Sequence, residues 1–122
     1  MRRLILAIAA FVLLTASPAF AASRVWIAEF TVLGATASGG VPGQIAALPA
    51  RVLQSTLDIS GGVQTSAAFN AETKFIRVIC EVQCAVRGDG SAATTSAILM
   101  PALSAEYFGV QPGATISVIA AP

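Results

Sequence analysis

Beyond position 21 the apolar residues of this chain recur at every second position, and no stretch keeps a 3.6-residue apolar spacing for three turns. Strands are therefore expected, not helices. In the first, Trp26, Ala28, Phe30 and Val32 share one almost wholly apolar face, and Val25, Ile27, Glu29 and Thr31 share a mixed one. Over residues 51–59, Leu53, Leu57 and Ile59 fall on a common face, and Val63, Thr65, Ala67 and Phe69 form the next candidate inward face. Phe75 to Cys80, rich in β-branched and aromatic residues, is the strongest strand, and Val82, Cys84 and Val86 continue its pattern after a break. Residues 94–100 and 115–120 complete the set, with Ile116 and Val118 facing one way and Ile119 the other.

Between these runs lie turn signals. Residues 34–43, rich in Gly, Ala and Ser, read as a flexible loop without a phosphate-binding pattern. Residues 70–73 and 88–90 read as turns, and 102–106 as one helical turn. Gln111 to Ala114 place Pro112 and Gly113 at the centre of a type II turn. Seven to eight short strands without crossover helices predict an all-β fold, an antiparallel β-sandwich or jelly-roll-like barrel.

Residues 1–21 read as a secretory signal: Arg2 and Arg3, then an apolar run from 4 to 14, Pro18, and a small-x-small site at Ala19-Phe20-Ala21. A retained membrane anchor and a structural use of the intact segment are the other two readings. With the segment removed, one domain over 22–122 remains, and no membrane contact is expected after cleavage. The mature chain is secreted or periplasmic on this reading. Loss of Arg2 and Arg3 leaves five positive and six negative side chains.

So thin a charge excludes the usual chemistry of several function classes. With no basic run, a nucleic-acid partner held through phosphates is unsupported. Histidine is absent, and Lys74 is the only lysine, which leaves a serine nucleophile without a recommended base. The carboxylates Glu29, Asp58, Glu72, Glu81, Asp89 and Glu106 are dispersed, each in a strand's outward phase or beside a turn. No catalytic residues, metal ligands or cofactor are assigned. Charged residues make up 11% of the full chain, well below the roughly 25% usual in globular domains. A surface of Ala, Ser, Thr, Gly and Gln points toward self-association or packing against another protein.

Cys80 and Cys84 carry the one pairwise chemistry. On one uninterrupted strand they would stand roughly 13 Å apart, beyond disulfide reach. A three-residue hairpin loop at 81–83 would instead bring them face to face, and the bridge is the leading expectation for an exported chain. Two free buried thiols in a reducing compartment are the alternative. The three-residue spacer does not suit a thioredoxin-like redox site.

The strings TSAAFN at 65–70 and TKFIRV at 73–78 resemble small proteins encoded in tailed-phage structural gene regions. VWIAEF at 25–30, EYFGV at 106–110, Pro112-Gly113 and ISVI at 116–119 are similar to the same group, so that the resemblance spans most of the mature chain. It implies a small β protein serving as a particle component, with no catalytic residues to carry over and a virion as the alternative location. It further implies that Phe75 and Val110 pack in the core, that Gly109 and Gly113 meet turn geometry, and that Arg77 cross-links strands or subunits. The export signal is where this chain departs from that group. The candidate interface or binding surface is Trp26, Arg77, Tyr107 and Phe108. Its expected partner is another copy or another particle or cell-envelope protein, with a carbohydrate groove along the aromatics as a further possibility. An exported binding module for a cell-surface polymer or protein is the alternative function.

Overall fold

A computed structural model describes residues 22–35 and 42–122 of the chain. The proposed signal at 1–21 and the middle of the 34–43 loop lie outside the described residues. Among the described residues eleven strands follow in order: β1 (Arg24–Phe30), β2 (Leu33–Ala35), β3 (Pro42–Ala46), β4 (Val52–Leu53), β5 (Leu57–Asp58), β6 (Gln64–Thr65), β7 (Phe75–Cys80), β8 (Cys84–Arg87), β9 (Ile98–Met100), β10 (Ala105–Gly109) and β11 (Ser117–Ala120). All pairings are antiparallel.

One sheet runs β10-β7-β1-β4, with β5 sharing β4's side of β1; a second runs β6-β11-β8-β9. The two pack as a sandwich over Val25, Ile27, Ile76, Val78, Val86, Met100 and Val118, all buried. Burial of such side chains is worth roughly 1.5–3 kcal/mol each, and it sets the strand faces. β2 and β3 form a separate two-stranded ribbon, so the ends of the expected 34–43 loop are strand instead. Pairing with each other satisfies backbone groups that a loose loop would leave to water.

Several expectations are corrected. The mixed face of β1 is the one that enters the core: Val25 and Ile27 pack into it and Glu29 is buried beside them, whereas on the apolar face Trp26 is 39% exposed and Ala28 and Phe30 are buried outside that cluster. Leu53 does not share a face with Leu57 and Ile59. It pairs with Ala28 while Leu57 pairs with Val25, so four steps along one chain oppose three along β1. That extra residue is a bulge, and it turns Leu53 outward, 77% exposed. Of the inward series at 63–69, only Phe69 is buried, because β6 is two residues long and Ser66 takes an inward place.

Residues 102–106 are not helical. Leu103 adopts φ 58°, donates its N–H to the Cys80 carbonyl, and hands the chain to β10. Phe75 faces outward and stacks on Phe30 at 5.2 Å rather than entering the core. Val110 does pack against the core. Gly113 has φ 75°, as its turn requires, while Gly109 ends β10 opposite Phe75.

Cys80 and Cys84 are joined, with Cα atoms 6.3 Å apart. The expected hairpin is absent: β7 and β8 belong to different sheets, and residues 81–83 cross between the layers. The bridge therefore staples sheet to sheet at one pole of the sandwich. Both cysteines are fully buried. A disulfide at this position suits an oxidising, extracytoplasmic compartment.

Candidate functional site

Strand register decides which side chains share the outer face of the five-stranded sheet. Residues directly opposite lie on one face, and the parity of β1 puts Trp26, Ala28 and Phe30 on the outer one, where Trp26 is exposed but Ala28 and Phe30 are buried. Ile79 stands opposite both Trp26 and Ala105. The next row is Tyr107, Arg77, Ala28 and Leu53; the one after is Gly109, Phe75 and Phe30. Trp26, Leu53 and Tyr107 are exposed, and Ile79, Arg77 and Phe75 are half-buried. A solvated outer face of an antiparallel sheet ordinarily alternates to polar residues. This one is aromatic and aliphatic around a single central cation.

Three of the four candidate surface residues, Trp26, Arg77 and Tyr107, are thus brought together. Phe108 is not among them. It pairs with Ile76 on the inward side and packs against the core. An aromatic groove using Phe108 with Trp26 and Tyr107 is therefore closed off by the alternation of β10. Sequence reading missed Leu53 and Ile79; the bulge concealed the first, and the second was assigned only to the strongest strand, without a face.

A groove of about 360 Å³ runs beside the indole, lined by Trp26, Leu53, Gln54, Thr56, Arg77 and Ile79. The two ion pairs among the described residues are Arg51–Glu72 at 2.9 Å and Arg87–Asp89 at 2.8 Å, and Arg77 belongs to neither. At one end of the face Asp58 stands opposite Arg24. Its carboxylate accepts the Ser60 N–H, and bonding from Ser60 lowers its pKa below the ordinary value. Glu81 accepts the Arg24 N–H at the same end.

Glu29 contradicts the expectation that every carboxylate points outward. It is buried on the inward side of β1 and accepts from Gln54 Nε2 at 2.7 Å, the Asn70 N–H at 2.8 Å, and the Thr73 hydroxyl. Gln54 also exchanges two hydrogen bonds with the Ala67 backbone. Both carboxylate oxygens are thereby committed to holding the 54–73 segment against β1. The neighbouring 410 Å³ groove includes Glu29 in its lining, but the carboxylate has no free oxygen aimed at a ligand.

The opposite side of the sandwich is open. β9 and β10 are edge strands, one in each sheet, and an apolar cleft of about 280 Å³ lies between Phe69, Val86, Ile98, Phe108, Val110 and Ile116. Ile98, which lines it, and its neighbour Leu99 are exposed. Among the described residues no three Cys, Asp or Glu side chains gather as a metal site, and no helix is long and apolar enough to cross a membrane. Comparison with family models, with curated proteins and with solved structures finds no match for this chain.

Proposed function

We propose that this chain is a non-enzymatic structural protein that works by assembly, a particle component of the kind its strands resemble, either exported through its N-terminal segment or carried in a virion. The observation that carries the reading is the outer face of the five-stranded sheet, where Trp26, Leu53, Ile79 and Tyr107 surround one arginine. Contiguous apolar faces of this kind mark association surfaces, and Trp, Tyr and Arg are the residues that dominate binding energy when desolvated. The sparse charge of the chain supports the same reading.

Native mass spectrometry across a concentration series, read alongside Trp26 fluorescence, tests it. An assembling protein gives a discrete multimer and an emission that shifts to the blue as the indole is covered. A monomer with unshifted emission at every concentration removes the proposal.

That second outcome would favour an exported binding module for a cell-surface polymer or protein. The specific observation behind this alternative is the groove beside Trp26, where Arg77 has no carboxylate partner among the described residues. A planar guanidinium next to an exposed ring suits an acidic group presented by a ligand.

A further inference from the structure

Each sheet of the sandwich has two edges, and they are not guarded alike. β4, β5 and β6 are two residues long, and β9 is three residues long and closed by Pro101. Very short edge strands and edge prolines are ordinary guards against stray strand pairing. β10 has neither. Ala105–Gly109 is five residues long, holds no proline, and is paired on one side only.

Hydrogen-bonding parity fixes what this edge presents. The Val110 N–H donates to the Lys74 carbonyl, one step beyond the pairing of Gly109 with Phe75. Along an antiparallel strand the backbone groups turn alternately to its two sides. Glu106, Phe108 and Val110 therefore bond β7, while Ala105, Tyr107 and Gly109 turn their N–H and C=O groups to the open side. Among the described residues no backbone bond outside the strand ladders reaches them. Next to the edge lies the apolar cleft, to which β10 and the residue after it contribute Phe108 and Val110. A strand added to β10 would find free backbone partners along the edge and an apolar recess for the side chain it sets opposite Phe108.

Glu106 shares that face of β10, opposite Val78, and is exposed. No cation among the described residues answers it. Arg51 and Arg87 are held in ion pairs, and Arg24 and Arg77 belong to the outer face. Lys74 is level with Val110, roughly 14 Å from Glu106 along and across the sheet. A strand laid on β10 thus meets one uncompensated negative charge two residues from the apolar recess. Directly across a strand pair, opposite charges attract and like charges repel. A second copy's β10 or β9 has no basic residue to set there.

We infer that the β10 edge takes up an extended segment of another protein by strand addition, with a basic side chain opposite Glu106 and an apolar one opposite Phe108. Main-chain bonds supply the affinity, and the two side chains supply the selectivity. The bonds run along the rim of the sheet and not over its aromatic face, so the inference stands or falls separately from the assembly reading.

Two end-capped synthetic peptides test it: TVTKTVT, whose lysine has a valine on each side along one strand face in either direction, and TVTETVT. Binding to the protein expressed from the full 122-residue sequence is followed by NMR shifts and amide exchange. TVTKTVT should slow exchange at Ala105, Tyr107 and Gly109, and should bind about tenfold more tightly than TVTETVT. Glu106→Lys should reverse that order. Tyr107→Pro removes an outward N–H and leaves the β7 ladder intact, so it should weaken both peptides about tenfold or more, whereas Tyr107→Ala, which keeps the N–H, should not. Urea unfolding verifies that each variant is folded, and Glu106→Lys, which leaves the backbone unchanged, keeps the inference testable if the proline variant is not.

Equal binding of the two peptides, no binding of either, or slowed exchange at other amides overturns the inference. So does slow exchange at these three amides in the protein alone. If it grows with protein concentration, a second copy occupies the edge; if it does not, the chain's own residues do.

Discussion

Glu29 is the side chain on which the non-strand parts of the five-stranded layer depend. Its two oxygens satisfy a side-chain amide, a backbone N–H and a hydroxyl, drawn from three separate places in the chain. Glu29→Leu keeps the volume roughly and strands those donors, so a loss of about 3 kcal/mol or more is expected in urea unfolding. Glu29→Gln keeps one acceptor and sets an amide against a donor, for a loss of about 1–2 kcal/mol. Equal stability of all three proteins would show that the network is not holding the segment. Asp89 sits at the other extreme of exposure. Hydrogen bonding from Arg87 lowers its pKa from 3.8 to about 2. A carboxylate with a depressed folded pKa contributes stability that is full above its unfolded pKa and lost as pH falls through the folded one. The urea midpoint should therefore decline between pH 3.8 and about 2, and decline less in Asp89→Asn, with salt shrinking the difference.

Among the elements, the crossing from β7 to β8 has the most consequence. Five residues enclosed by the bridge give a stabilisation of about 2 kcal/mol in the chain-entropy view. Replacing both cysteines by alanine should remove about that much, measured by chemical unfolding. Because both sulfurs are buried, reductant alone should release no thiol from the native protein, whereas reductant with urea should release two per chain. Thiol release from the native form would place the bridge in a more open setting. The pairing itself was readable from the short spacing, but its setting was not. Three residues suit a hairpin and a layer crossing alike, and only the partner sheets distinguish them. β7 was legible because six residues hold one period without a break. β4 and β5 were not, since a single extra residue opposite β1 reverses the phase without any Gly or Pro to announce it. The same limit applies to the surface site. Alternation grouped Trp26 and Phe108 only by chemistry, while register separates them to opposite sides of one sheet.

At the scale of the molecule, the sandwich has one stapled pole, one side with unpaired β9 and β10 edges, and one broad aromatic face. Its sheets are assembled from distant parts of the chain: β1 pairs with β7, and β6 with β11. Folds dominated by such pairings form slowly, because loop closure must precede the contacts that reward it. The bridge between Cys80 and Cys84 is an exception to this remoteness. Its two ends are near neighbours along the backbone, so oxidation can close it while neither sheet yet exists. Once closed, it sends the chain on its two sides toward opposite layers. A choice that the rest of the fold reaches only by long-distance search is thus open to a local contact, and refolding of the oxidised chain should outpace that of the reduced one in stopped-flow fluorescence.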